Sequence, residues 1–199
     1  MTQRLSSLFL FLYIHIAAFA QGTSNYSATL KKYQEKYVAD HEVVKGKDKQ
    51  YFRFYPIDAA YNVNCKFEKL TDTAGFTMKT SANTLQYYYK YGKLSFTLNG
   101  MACFLFVYQS KDLMKKKEYK DYLFVPFTDA TTGDESYGSG RYLEFNIPDI
   151  RNNMLQLDFN KAYNPYCAYA KGYHCPIPPK ENNLPLAVKA GEKMFGKSH

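Results

Sequence analysis

Apolar and polar positions recur along this chain with two different periods, and the change between them divides it. Over residues 27–44, Leu30, Tyr33, Tyr37, Val38, His41 and Val44 fall at helical spacing, with Lys31, Lys32, Gln34, Glu35 and Lys36 on the opposite side. That pattern predicts one amphipathic helix lying across a face or end of a sheet. Beyond it the period drops to two. Tyr61, Val63, Cys65 and Phe67 alternate with Asn62, Asn64, Lys66 and Glu68, as on a strand with one wet face. A shorter strand is predicted from Phe76 to Lys79. Leu85, Tyr87, Tyr89 and Tyr91 then share a face, a turn falls at Gly92, and Leu94, Phe96 and Leu98 belong to the next strand. Asn99-Gly100 marks a tight hairpin, because both residues accept the positive φ of a type I′ turn.

The run from Met101 to Tyr108 is apolar throughout and predicts a strand buried on both faces. Tyr122 to Phe127 reads as another strand, with Pro126 placing its end near an edge. A loop from Asp129 to Gly140 follows. Arg141 to Ile147 and Met154 to Phe159 form a further pair, with Leu143, Phe145 and Ile147 matched by Leu155, Leu157 and Phe159. The last forty residues hold Pro165, Pro176, Pro178, Pro179 and Pro185 and show little periodicity. They predict an ordered arm around the sheet, ending in a short element near Leu186 to Lys189. The fold class is therefore mainly β: an antiparallel sheet or small barrel or sandwich, with an N-terminal helix and a proline-rich C-terminal arm.

Residues 1–20 stand apart from this pattern. Arg4 precedes the apolar run that begins Leu8-Phe9-Leu10-Phe11-Leu12, and Ala18-Phe19-Ala20 closes it with the small-x-small signature of signal peptidase. The run is short for a membrane span, and no cysteine follows it to accept a lipid. Residues 1–20 are read as a signal peptide and 21–199 as a single exported domain, periplasmic or secreted, with no transmembrane segment after leader removal. An uncleaved anchor is the rival reading. The chain has 199 residues and a net charge of +8. Losing Arg4 leaves 25 basic against 18 acidic residues, or +7. The lysines are scattered, and the densest cluster, Lys115-Lys116-Lys117, sits beside Glu118 and Asp121. A mixed-sign cluster in an exported chain argues against nucleic acid as a partner. Twenty tyrosines and fifteen phenylalanines without tryptophan support β structure, since rings suit a half-buried pleated surface.

Three stretches together resemble a known family. They are Phe54-Tyr55-Pro56-Ile57-Asp58 with Tyr61; Phe124-Val125-Pro126-Phe127-Thr128-Asp129 running on to Gly138-Ser139-Gly140-Arg141-Tyr142-Leu143; and Leu157-Asp158-Phe159-Asn160-Lys161-Ala162-Tyr163-Asn164-Pro165-Tyr166-Cys167, with Cys175-Pro176-Ile177-Pro178-Pro179 and Glu181-Asn182 after it. This looks like the domain of unknown function 1684, over about residues 45–193. Ser139 and Lys161 depart mildly from that pattern, where glycine and arginine are usual. The resemblance implies one compact domain and carries no activity.

Elimination narrows the chemistry. After the leader the histidines are His41, His174 and the terminal His199, and His41 falls on the apolar side of the helix. There is no G-x-S-x-G elbow, H-E-x-x-H motif, Walker loop or Rossmann glycine pattern. No cofactor and no metal site are predicted. The Asp129 to Glu135 loop lacks EF-hand spacing. The third motif is the candidate site. With Leu155, Leu157 and Phe159 facing one way, Gln156, Asp158 and Asn160 face the other. Tyr163 and Asn164 follow, Arg141 approaches from the neighbouring strand, and Glu181 and Asn182 complete the set. Such a cluster orients a small polar ligand. The same residues also suit a local role, capping turn donors and pairing Arg141 with Asp158 or Glu181 to hold the arm.

Cys167 and Cys175 are read first as a disulfide, on compartment grounds; a metal site with Asp158, Glu181 or His174 and a nucleophilic Cys167 are the alternatives. Cys65 and Cys103 are either inert buried thiols or a cross-strand pair. The leading function is a non-catalytic module for a small molecule or glycan. A hydrolase with Asp158 and Glu181 as its acid–base pair competes, and a purely structural envelope protein is the third reading.

Overall fold

The computed structural model describes residues 25–71 and 74–197. The expected signal peptide lies outside the described residues. Helix α1 covers residues 25–40 and is followed by bends and a 3-10 helix at Gly46–Tyr51. It ends earlier than its apolar stripe because His41 turns inward, where its Nδ1 accepts a hydrogen bond from the Val44 N–H at 3.0 Å.

Among the described residues seven strands follow: β1 Asn62–Lys69, β2 Phe76–Lys79, β3 Leu85–Leu98, β4 Met101–Ser110, β5 Tyr122–Phe127, β6 Arg141–Asn146 and β7 Met154–Asp158. They form one antiparallel sheet in the order β6-β5-β4-β3-β1-β7, with β2 paired to β3. Strands β6 and β7 are therefore the two ends of the path, not the adjacent pair that their matched apolar residues suggested. In a flat sheet they would lie roughly 24 Å apart, at about 4.8 Å per strand. Yet Leu143 of β6 and Leu155 and Leu157 of β7 belong to one core with Val63, Leu94, Leu105 and Val125 from the strands between. The sheet curls into a half-barrel around that core. Phe159, fully buried, touches Phe96 of β3 and Phe127 of β5 from the inside. The matched apolar faces were real, but they meet across the core and not along a ladder.

Other expectations change for local reasons. Gly92 is no turn: β3 runs through it for fourteen residues, with a bulge between Lys90 and Gly92. A Cβ at Gly92 would sit 2.2 Å from the Phe67 ring and 2.9 Å from the Glu68 carbonyl, so close strand approach, not reversal, requires glycine there. The Asn99-Gly100 hairpin is present, with φ of 50° and 77°. Strand β4 is not buried on both faces along its length. Met101, Ala102 and Phe104 are exposed, and only its second half, from Val107, is covered on both sides.

Pro126 stands in an interior strand. Only Tyr108 and Phe124 are paired in register between β4 and β5, and the gap beside the missing proline N–H is closed by Asn182. Its side chain donates to the Phe106 and Pro126 carbonyls at 2.9 and 2.8 Å and accepts from the Phe106 N–H at 2.8 Å. After β7 the chain has no further strand among the described residues. Its regular elements among the described residues are 3-10 turns at Phe159–Lys161, Tyr166–Ala168 and Lys180–Asn182, and none covers Leu186 to Lys189. Cys167 and Cys175 form a disulfide with a Cα separation of 6.3 Å, while Cys65 and Cys103 are free and buried. No helix among the described residues is long and apolar enough to cross a membrane.

Candidate functional site

The seam where the half-barrel fails to close is a cleft of about 400 Å³ between β6 and β7. Leu143, Phe145, Leu155 and Leu157 give it an apolar floor, because the seam opens directly onto the core. Its rim is polar: Glu144, Asp149, Gln156 and Asp158 supply acceptors, Arg151 and Lys161 supply cations, and Tyr33 of α1 and Tyr163 add phenols. Pleat alternation explains the division, since residues on either side of each core-facing leucine point to the rim. One end is bridged by Tyr142 and Tyr163, which exchange backbone hydrogen bonds at 2.9 and 3.1 Å. Leading into β7, the connection from β6 makes a tight turn in which Arg151 and Met154 exchange backbone hydrogen bonds at 2.9 Å.

Two rim carboxylates are held in place by neutral donors. Tyr122 and Tyr163 both donate to Glu144 Oε2, at 2.6 and 3.0 Å. Burial, reinforced by neighbouring Tyr122 and by Glu144, drives the Tyr163 phenol well above its ordinary range, so it stays a donor. Asp158 caps the 3-10 turn that follows β7, accepting the Asn160 N–H at 3.0 Å, and it also accepts from Tyr26 of α1. Tyr33 lies between these two carboxylates: burial raises its pKa first, then the charges of Glu144 and Asp158. Arg151 and Lys161 have no ion-pair partner among the described residues; the Lys161 ammonium lies 5.5 Å from the Tyr33 ring centre.

Of the residues singled out in the sequence, Asp158 and Tyr163 line this cleft, and Asn160 supports it from behind. The rest are elsewhere. Arg141 does not approach Asp158 or Glu181. It is 1% exposed and its guanidinium pairs with Asp129 at 2.7 Å while donating to the carbonyls of Val188, Ala190 and Glu192. It faces inward because strand alternation puts Arg141 on the side of Leu143, and the C-terminal segment closes over it. Asn164 is buried, donating through its side chain to the Lys193 carbonyl at 2.8 Å and through its N–H to Glu192 Oε2 at 2.9 Å. Asn182 is the bolt between β4 and β5. Glu181 accepts from Tyr108 at 2.7 Å and from Lys90 at 2.9 Å, beside a separate cleft lined by Phe76 and Pro179. Asp158 and Glu181 therefore share no site, which removes them as an acid–base pair.

One buried carboxylate escaped the sequence reading. Glu192 is fully buried and accepts from Tyr37 of α1, from Tyr169 and from the Asn164 N–H. Loss of water raises its pKa to about 7, despite those donors. Nearby His41 packs edge-on against Tyr37, Phe52 and Tyr169, and burial lowers its pKa to about 4. Glu144, Arg151 and Tyr33 were also missed; nothing local in the sequence brings β6, β7 and α1 together.

The model of a family described as "Protein of unknown function (DUF1684)" matches residues 47–193. The solution NMR structure of an uncharacterised protein from Haloarcula marismortui is similar, with 30% identity and a TM-score of 0.63, over 87% of this chain and 96% of that one. No curated protein matches.

Proposed function

This chain belongs to the DUF1684 family of unknown function, and from the seam of its sheet we propose that it is an exported, non-catalytic module that binds a small polar molecule or a glycan. The observation that carries the reading is the cleft: it is small-ligand sized, since such sites run from roughly 300 to 1,000 Å³, and it joins an apolar floor to a ring of fixed polar groups. Donors and acceptors are both present on the rim. Glu144 and Asp158 take hydrogen bonds, and Arg151, Lys161 and the Tyr33 phenol give them. Export is supported by the Cys167–Cys175 disulfide, a bond that persists in oxidising compartments.

Asp158→Ala tests the reading. Calorimetric titration of simple methyl glycosides into wild type and variant should show weaker binding in the variant, with circular dichroism verifying that both are folded. Equal affinities would sink it.

A further inference from the structure

Asp158 and Asn160 already hold a hydroxyl. The Tyr26 phenol oxygen lies 3.1 Å from each carboxylate oxygen of Asp158 and 3.1 Å from Asn160 Nδ2. One partner accepts and the other donates, which is what a single hydroxyl requires, because it gives and takes hydrogen bonds at once. Tyr26 fits loosely. A hydroxyl donating to a carboxylate normally closes to roughly 2.5–2.7 Å, whereas its one proton is shared here between two more distant oxygens. Asn160 Nδ2 has two hydrogens and three acceptors in reach, Asp58 O at 2.8 Å, Asp158 Oδ1 at 2.9 Å and the phenol, which is the farthest.

A second observation stands across the ladder. Asn62 is paired in register with Asp158; its side chain also reaches the Tyr26 phenol, yet its buried Oδ1 has no hydrogen-bond partner among the described residues. An acceptor without a donor therefore adjoins a pair whose occupant is poorly held. Asp158 also faces the seam cleft, so a ligand there reaches the same carboxylate. Around it, rim carboxylates and the cations Arg151 and Lys161 nearly offset one another. A ligand with net charge of either sign meets both, while hydroxyls satisfy both.

We propose that Asp158 and Asn160 recognise one hydroxyl of a neutral polyol, that Tyr26 stands in for that hydroxyl, and that a polyol entering the seam displaces Tyr26 and loosens this end of α1. Displacement presupposes that the seam cleft is the ligand site described above. Helix α1 is then a competitor as well as a wall, since Tyr33 lines the same cleft.

Methyl glucoside, methyl galactoside and glycerol are titrated into isotopically labelled wild type and Tyr26→Phe, with the Asn160 side-chain amide and the Gln156 backbone amide followed by NMR. Tyr26→Phe should bind on the order of fivefold more tightly, the gain from not breaking one modest hydrogen bond. In wild type, amide exchange over residues 26–30 should quicken when sugar is bound, a readout that needs no variant. Equal affinity in the two proteins, with Asn160 and Gln156 shifting in both and exchange unchanged, overturns displacement and leaves the cleft as a ligand site. Silence of both amides toward all three probes in both proteins overturns the two together.

Discussion

Glu192 holds α1 against the body of the protein through Tyr37, and its ionisation should weaken the fold as pH rises. Its pKa is about 7 in the folded chain against an ordinary 4.5, the shift being caused first by burial. Below pH 4 both folded and unfolded chains hold the proton, and the contribution of the protonated carboxyl is fully present. From 4.5 upward the unfolded chain releases its proton while the folded chain keeps it, and folding loses ground with each pH unit until 7 is passed. At 1.36 kcal/mol per unit, the loss amounts to about 3 kcal/mol by pH 8. His41 works in the opposite direction: its lowered pKa withholds stability at low pH and restores it as pH climbs towards 6.5. The wild-type profile is the sum of the two. Glu192→Gln removes one contribution and leaves the other. Urea unfolding of both proteins at pH 4.5, 6, 7 and 8 should therefore show the variant gaining about 3 kcal/mol on wild type across the range. Parallel profiles would refute this account of the buried carboxyl.

Other consequences follow from the same geometry. Asn182→Ala leaves the Phe106 N–H and two carbonyls without their partner and should cost about 3 kcal/mol, read from the denaturant midpoint; an unchanged midpoint would mean that β4 and β5 need no bolt. Removing either Arg141 or Asp129 strands the other charge in the interior and should cost about 3–5 kcal/mol, measured the same way, with a small effect counting against the pair. Reducing Cys167–Cys175 should lower stability by about 2–3 kcal/mol, as expected for so short a closed loop; an equal melting temperature with and without reductant would contradict that.

Much of the fold was legible because strand periodicity is local. β1, β2, β5, β6 and β7 fall where the alternation put them, and Asn99-Gly100 forms its hairpin. What the pattern does not carry is which strands are neighbours. Leu143 and Leu155 share an apolar phase whether their strands pair or close a curled sheet from opposite ends, so the seam stayed hidden. Gly92 was misread because a glycine between two apolar runs marks a close approach as readily as a turn, and the contact with Phe67 is non-local. For the candidate site, chain proximity already grouped Asp158 and Tyr163, which both line the seam cleft. Arg141 was misplaced because its partner Asp129 is buried beneath a C-terminal segment that has no periodicity. Glu192 gave no signal, since a glutamate between Gly191 and Lys193 looks like an exposed residue.

The seam cleft is most directly tested by filling it. Gln156 is exposed on the rim, and Gln156→Trp puts an indole where a ligand would sit. A panel of neutral saccharides is titrated into labelled wild type and this variant, and the backbone amides that move are mapped. The account predicts shifts centred on Glu144, Gln156 and Asp158 in wild type and their loss in Gln156→Trp. Shifts that survive the indole, or that centre on the Phe76 and Glu181 cleft instead, would contradict it.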